Sequence, residues 1–447
     1  MKKKIAIFAI FTALLISFCA CSGKENTIEP GFIPTATPTT GAQNTATPTV
    51  KPTSTPRPTN TPTNTPTPIP TIEVPTINFT KQTIPDNEAM RFLADMKIGW
   101  NLGNTLEATI TGNDPSNHMY AETAWNNIKT TKELIDLVKG EGFNTIRVPV
   151  SWHNHVFVND EGNYEIYKEW LDRVQEVVDY VIDDDMYCVL NIHHDDAKEF
   201  VYPDSEHLEN SQKYVHDVWL QIANRFKDYD NKLIMESLNE PRLVGTQFEW
   251  YINTSNSDVK DAIECLNKIN QTFVDTVRAT GGNNATRYLS VPGYDASAQG
   301  ALLKSFKIPE DTEGNVNKII VSVHAYTPYS FALQSPKDSG SKSNFVINQK
   351  TSTSEIDNFM KQLYDTYISK GIPVYIGEFG ARDKDNYKPR VNFTAYYVAL
   401  ARSYGLTCCW WDNNAFNSSG ECFGLFERRT KKIIFPDIIK AMMTYCE

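Results

Sequence analysis

Tyr187-Cys188-Val189-Leu190-Asn191-Ile192-His193-His194 runs from a short apolar stretch straight into a pair of histidines. A stretch of that length reads as a buried strand whose end opens onto polar groups. The same reading repeats at residues 97–101, 145–148, 233–236, 288–291, 319–323, 374–377 and 407–410. Helical periodicity separates the runs. Trp170, Leu171, Val174, Val177, Val178 and Val181 share one helical face, and so do Ile356, Phe359, Met360, Leu363 and Tyr367. With 187–191 the strands make eight β-α units in about 365 residues, which fits a single α/β fold of the (β/α)8 TIM-barrel type with long loops. A doubly wound sheet usually stops at about five or six strands.

Each strand is followed by residues that can do chemistry. They are Asn101 and Asn104, Arg147, His193 and His194, Asn239 and Glu240, Tyr294, His324 and Tyr326, Glu378, and Trp411. A barrel brings these positions together at one mouth. Taken singly, a strand-end Asn caps a turn, a Tyr packs and an Arg pairs with a carboxylate. A polar or aromatic group after every strand is much harder to explain in that way.

The chain has 447 residues, 40% of them hydrophobic and 22% charged, enough to bury a large core and to exclude disorder throughout. Its net charge of -11 opposes phosphate backbones, so no nucleic-acid partner is expected. Lys2, Lys3 and Lys4 precede an apolar stretch that ends at Phe18, the form of an export signal over residues 1–20. Ala20-Cys21-Ser22-Gly23 resembles the cleavage site of bacterial lipoproteins and makes Cys21 the lipidation candidate; plain secretion is the alternative. Residues 21–76 are dominated by Thr-Pro steps and cannot form a core. As a polyproline tether of some fifty residues they would reach on the order of 150 Å. The catalytic domain is expected over 77–447, outside the cell. With no coiled-coil heptads, a monomer is expected.

Two strand ends carry glutamates in apolar settings. Glu240 lies in Leu238-Asn239-Glu240-Pro241 after the fourth strand, and Glu378 in Ile376-Gly377-Glu378-Phe379-Gly380 after the seventh. Facing carboxyl groups across a cleft suit glycoside hydrolysis, in which one protonates the leaving oxygen and the other attacks the anomeric carbon or activates water. With Glu378 as nucleophile and Glu240 as acid, the roles that the family resemblance given next implies, Arg147 and Tyr326 are expected to hydrogen-bond Glu378 and lower its pKa, and partial burial near His324 to keep Glu240 protonated. Glu236 is read as structural.

Gly99-Trp100-Asn101-Leu102-Gly103-Asn104, Arg147-Val148-Pro149-Val150-Ser151-Trp152, His193-His194-Asp195, Asn239-Glu240-Pro241, His324-Ala325-Tyr326, Gly377-Glu378-Phe379-Gly380 and Trp410-Trp411-Asp412-Asn413 together resemble glycoside hydrolase family 5, the old cellulase family A. The paired His, the opening Asn-Leu-Gly-Asn and Tyr326-Thr327-Pro328-Tyr329 resemble its subfamily 4. The resemblance runs from about residue 84 to the end of the chain. It implies a retaining endo-β-1,4-glucanase acting on cellulose-like or mixed-linkage β-glucan, with Glu240 as general acid/base and Glu378 as nucleophile. It further implies substrate-binding roles for Asn101, Asn104, Arg147, Trp152, His193, His194, Asn239, His324, Tyr326 and Trp411. Asn239 would hold the 2-hydroxyl, Trp411 would stack beneath the sugar, and His193 would orient the neighbouring Arg and Asn. Xyloglucan, xylan or mannan is the alternative polymer, and a non-catalytic glycan-binding lipoprotein the alternative of another class.

No cofactor is expected. His193-His194-Asp195-Asp196 contains metal-ligand types, yet adjacent residues of an extended chain point to opposite sides, so no metal is assigned. Trp125, Trp152, Trp250, Tyr294, Tyr329 and Phe331 are candidate sugar-stacking surfaces, with Trp152 and Tyr329 favoured. Asn126 stands where relatives often carry Gly. Cys188, Cys265, Cys408, Cys409, Cys422 and Cys446 are read as mostly reduced thiols, with a Cys409 to Cys422 bridge left open.

Overall fold

A computed structural model describes residues 71–112, 116–125, 127–416 and 420–447. The export signal, Cys21, most of the Thr-Pro tether and Asn126 lie outside the described residues. Eight parallel strands close a barrel: β1 (Ile98–Leu102), β2 (Thr145–Val148), β3 (Tyr187–Asn191), β4 (Leu233–Glu236), β5 (Leu289–Ser297), β6 (Ile319–His324), β7 (Val374–Phe379) and β8 (Thr407–Asp412). Each pairs with its sequence neighbour, and β1 closes the ring against β8. The expected (β/α)8 architecture is the one observed.

The helices follow their apolar stripes. Helix Lys168–Ile182 buries Trp170, Val174, Val177, Val178 and Val181, and Lys350–Thr366 buries Ile356, Met360 and Leu363. Helix Ser257–Ala279 starts where the Asn256 side chain accepts from the Asp258 and Val259 amides at 2.8 and 3.2 Å, satisfying orphan donors of its first turn. Five strands reach further than their apolar runs, β1 by one residue to Leu102. The expected end of β5 at Val291 becomes Ser297, and β6, β7 and β8 extend to His324, Phe379 and Asp412. Backbone pairing continues into the polar mouth, where hydropathy no longer marks a strand.

The tether also ends earlier than composition suggests. Ile72 N donates to Asp437 Oδ2 at 2.8 Å, Ile77 N donates to the Tyr445 hydroxyl at 2.8 Å, and that hydroxyl donates to Pro75 O. Residues 72–77 are thus fastened to the closing helix Pro436–Tyr445, whereas 77 is the expected domain start. The six cysteines after the leader are buried free thiols. Burial pushes the thiol pKa values of Cys188 and Cys408 far up, out of the reactive range.

Close strand packing explains the glycine of β1. A Cβ on Gly99 would lie 2.2 Å from Cys409 Sγ on β8. Gly99→Ala is therefore expected to destabilise the barrel by about 1–3 kcal/mol through overpacking. Thermal denaturation checks this, and an unchanged midpoint would contradict the packing described.

Candidate active site

Strand register assembles the mouth. Asn101 of β1 pairs with Arg147 of β2, and Asn191 of β3 with Glu236 of β4. Between β6 and β7 the register shifts after Val323, so that His324 comes level with Glu378 instead of Gly377. Gly377 has no room for a side chain, since a Cβ would lie 3.0 Å from the Tyr375 hydroxyl and 3.2 Å from His324 Nε2.

Arg147 is fully buried at the centre of this layer. Its Nη1 donates to Glu378 Oε1 at 2.7 Å and to Asn101 Oδ1 at 3.0 Å, and its Nη2 to Glu236 Oε1 at 2.7 Å and to Asn239 Oδ1 at 2.8 Å. Nε completes the set with Glu236 Oε1 at 2.9 Å. Burial disfavours the guanidinium charge, but Glu236 and Glu378 outweigh burial and hold its pKa well above the usual value. Glu236 also accepts from Asn191 at 3.2 Å, from Ser322 at 3.0 Å and from Tyr375. Burial would raise its pKa, but the Arg147 charge, together with His324 and the hydrogen bonds from Tyr375 and Arg147, brings it below the ordinary value. Glu236 is therefore a fixed counter-charge beneath the cleft, as its sequence context suggests.

Glu378 and Glu240 face each other above that layer. Glu378 Oε2 accepts from the Tyr326 hydroxyl at 2.7 Å. Burial and the adjacent Glu378 carboxylate push the Tyr326 phenol well above its ordinary pKa, so it stays a donor. Glu240 Oε1 lies 2.7 Å from His324 Nδ1, which is also 3.7 Å from Glu378 Oε1. One carboxylate oxygen of each glutamate and a His324 nitrogen lie within 4.8 Å of one another. Burial alone would raise the Glu240 pKa, but the His324 hydrogen bond and charge, with Arg242 and His194, bring it below the ordinary value. The expectation of a Glu240 kept protonated by burial is thereby corrected: in the free protein its neighbours favour the carboxylate.

The remaining expected site residues divide into wall and frame. Trp411 is 9% exposed and lies parallel to His193, with ring centroids 5.9 Å apart. A Cβ on Gly103 would touch that indole at 2.9 Å, so this Gly leaves room for the ring. Asn239 keeps its amide nitrogen free of Arg147, which takes its oxygen. Asn104 borders the mouth, its carbonyl accepting from Asn127 Nδ2 at 2.9 Å. His193 and His194 meet edge to face at 4.5 Å, and His194 approaches Trp125 at 5.7 Å. Both rings therefore face one region, contrary to strict alternation, because β3 ends at Asn191 and the chain bends after it. Burial lowers both imidazole pKa values, that of His193 strongly. His193 Nδ1 lies 3.1 Å from Asn191 Nδ2, so it orients Asn191 rather than Arg147 directly.

Three expected substrate contacts are part of the frame instead. Trp152 is fully buried, donating Nε1–H to Asn191 O at 3.0 Å, so it packs rather than stacks on a ligand. Asn101 is equally buried, donating to Gly377 O at 2.9 Å while accepting from Arg147. Arg147 itself reaches the cleft only through Glu378 and Asn239. Tyr294 and Phe331 are core residues, whereas Trp125, Trp250 and Tyr329 are exposed. Asn191, Ser322 and Tyr375 are the supports missed in the sequence. The two-residue step from Asn191 to His193 was the available signal for the first.

Asp195 accepts from the Trp152 amide at 3.0 Å and from Tyr214, which ties it into the wall. Glu240, His324 and Glu378 are close enough to share a metal ion. However, the Arg147 guanidinium already donates to Glu378 and would repel a further cation, and Glu240 Oε1 is already taken up by His324 Nδ1. Carboxylates so held, facing a wall of imidazole, indole and amide groups, can exchange a proton and form or release a bond to an electrophilic carbon between them.

The model of the cellulase family, glycosyl hydrolase family 5, matches residues 109–417. A family 5 lichenase of known structure from Caldicellulosiruptor sp. F32 is 54% identical, with 84% of this chain and all of that chain covered at a TM-score of 0.82. A broad-specificity subfamily 4 endoglucanase from Ruminococcus champanellensis, solved with bound cellotriose, is 44% identical, with 81% of this chain and all of that chain covered at a TM-score of 0.72. Endoglucanase A from Clostridium longisporum is 41% identical over 357 residues, 79% of this chain and 65% of that protein. The chain thus spans about two thirds of that relative.

Arg147→Lys keeps a charge but loses the planar fork that serves four acceptors. It is expected to cost about 2–4 kcal/mol of stability, because buried acceptors lose donors. The Glu236 pKa is lower in the folded protein than its ordinary 4.5. Its contribution is therefore complete above the unfolded value and is lost as pH falls through the folded one. Denaturation of both proteins from pH 7 to pH 3 checks this; an Arg147→Lys protein as stable as the parent would contradict it.

Proposed function

The chain belongs to glycosyl hydrolase family 5, and on that premise we propose that it is an exported, retaining endo-β-1,4-glucanase. The observation that carries this reading is the pair of carboxylate oxygens on Glu240 and Glu378, within 4.8 Å of each other. Retaining glycosidases hold their carboxyl groups at about 5–5.5 Å, whereas inverting ones need about 6.5–9.5 Å to admit a water.

In the proposed reaction Glu378 is the nucleophile. Arg147 and Tyr326 fix its two oxygens and leave it one direction of attack, toward an anomeric carbon above it. Glu240 is the general acid. A sugar filling the cleft expels water, and a drier site favours the neutral carboxylic acid over the carboxylate. Glu240 then passes its proton to the departing glycosidic oxygen. Glu378 forms a glycosyl ester as the C–O bond breaks. In the second step Glu240, now ionised, takes a proton from water, whose oxygen displaces Glu378 and restores the starting configuration.

Asn239, its oxygen held by Arg147, has its amide N–H available for the 2-hydroxyl of the reacting sugar, a contact that strengthens in the transition state. Trp411, backed by His193, offers its other face to the pyranose ring. The substrate class we infer is cellulose-like and mixed-linkage β-glucan. The neighbours named as a lichenase and as a broad-specificity endoglucanase with cellotriose support it. The leader and Cys21 support export and surface tethering, with residues 21–71 as the spacer.

Reducing-sugar release by the purified chain from carboxymethyl cellulose, barley β-glucan, xyloglucan, xylan and mannan tests the reading. Activity on the glucans is expected to fall by about 10²–10⁴ in Glu378→Gln and in Glu240→Gln. Silence of the unsubstituted protein on every polymer, with glycan binding retained, would replace the hydrolase by a tethered binder.

A further inference from the structure

The turn that leaves β1 is built around a buried carboxyl group. Glu107 is fully buried. Its Oε1 accepts from Asn104 N, and its Oε2 accepts from Thr105 N at 2.9 Å. Asn104 has a φ of +56°, a left-handed value that L-residues seldom adopt. Such conformations persist where surrounding contacts enforce them, and they cluster at functional sites. Successive N–H groups in a turn form an anion-binding concavity, and here the chain fills it with its own side chain. Glu107 is in turn fastened to the barrel. Ser151 Oγ donates to Glu107 O at 2.8 Å and Ser151 N to Leu106 O at 3.2 Å, which ties the residue to the segment after β2.

The same turn reaches the mouth through Trp411. Arg428, buried in the segment after β8, donates from Nη1 to Gly103 O at 2.8 Å and to Thr105 Oγ1 at 2.7 Å, and from Nη2 to Asp412 O at 2.6 Å. Thr105 Oγ1 donates to Gly103 O at 3.1 Å, and Gly103 N donates to Asp412 O at 3.0 Å. The turn is thereby locked to the residue that follows Trp411. At Gly103 the backbone abuts the indole itself, since a Cβ there would lie 2.9 Å from both Trp411 Cζ2 and Cη2. His193 lies parallel to the ring with centroids 5.9 Å apart. The indole therefore has a wall along one face and a stop at its benzo edge. The stop belongs to the turn that Glu107 holds.

We propose that Glu107 is a positioning residue for the Trp411 platform: by accepting from the Asn104 and Thr105 amides it sets the turn against the edge of the indole, and so fixes where that ring meets the reacting sugar. This rests on the hydrolase reading, in which Trp411 stacks on that sugar. A buried carboxyl group is costly unless its lone pairs are matched, and those of Glu107 are matched by amides of its own turn. Burial raises its pKa to about 7, against the pull of those amides and of the Arg428 charge. Glu107→Gln keeps the length of the side chain but offers one acceptor oxygen and an NH2 group to two N–H donors, so one donor loses its partner. The turn is then free to shift, and the stop at the indole edge shifts with it.

The test is a double-mutant cycle in the purified full chain, with kcat/KM on barley β-glucan measured at about pH 8, where the carboxylate form of Glu107 predominates, for the unsubstituted protein, Glu107→Gln, Trp411→Ala and the double variant. Glu107→Gln is expected to lower kcat/KM by about tenfold when Trp411 is present and by less than about twofold when it is Ala, because the turn then has no ring to place. Glu107→Asp, which keeps both acceptor oxygens on a shorter side chain, goes through the same cycle should the amide not be accommodated. The dissociation constant for cellotriose, measured by calorimetry on the four proteins in a Glu378→Gln background, gives the same comparison without turnover. An equal fall in both backgrounds, or none in either, would reduce Glu107 to a structural role and overturn the inference while leaving the hydrolase reading intact. Absence of hydrolysis by the unsubstituted protein would overturn both.

Discussion

One buried guanidinium organises the mouth of this barrel. Arg147 carries the positive charge against which both Glu236 and Glu378 are held, and it directs each of its nitrogens to a defined acceptor. Burying three charges is costly unless every lone pair and proton is matched. The matching is done by residues of different strands: Asn101 on β1, Asn191 on β3, Ser322 on β6 and Tyr375 on β7. A shift of register between β1 and β2, or between β3 and β4, would break it. The polar layer thus demands the barrel's register as much as the barrel positions the layer.

That layer divides two chemically similar carboxyl groups into different roles. Glu378 is clamped on both oxygens by Arg147 and Tyr326, whereas Glu240 shares a proton-bearing contact with His324. In the proposed mechanism, environment rather than residue type distinguishes nucleophile from acid, as expected where two titratable groups in one cleft take different tasks.

Much of this was legible in the sequence because the barrel repeats a simple pattern. Eight apolar runs, amphipathic helices between them and polar strand ends specify the architecture and name the principal side chains, Glu240 and Glu378 among them. The unread part has physical reasons. Trp152 flanks a motif and has the right chemistry for a sugar platform, but loop geometry turns it into the core, where its N–H serves Asn191 O. The paired histidines face one region because β3 stops before them, which alternation cannot anticipate. The full length of β5 was missed because Pro292 to Ser297 follow the end of the apolar run. The lowered Glu240 pKa depends on an imidazole brought from β6 across β5. The nearness of His324 was anticipated, but not that its contact would outweigh burial, a balance that depends on the three-dimensional setting.

The central claim is that Glu378, held by Arg147 and Tyr326, bonds covalently to the sugar during turnover. Incubation with a 2-deoxy-2-fluoro-β-cellobioside bearing an activated leaving group, followed by mass spectrometry of the digested protein, tests it most directly. The account predicts a single fluoroglycosyl adduct on the peptide containing Glu378. An adduct on any other residue, or none from a protein that hydrolyses β-glucan, would contradict it.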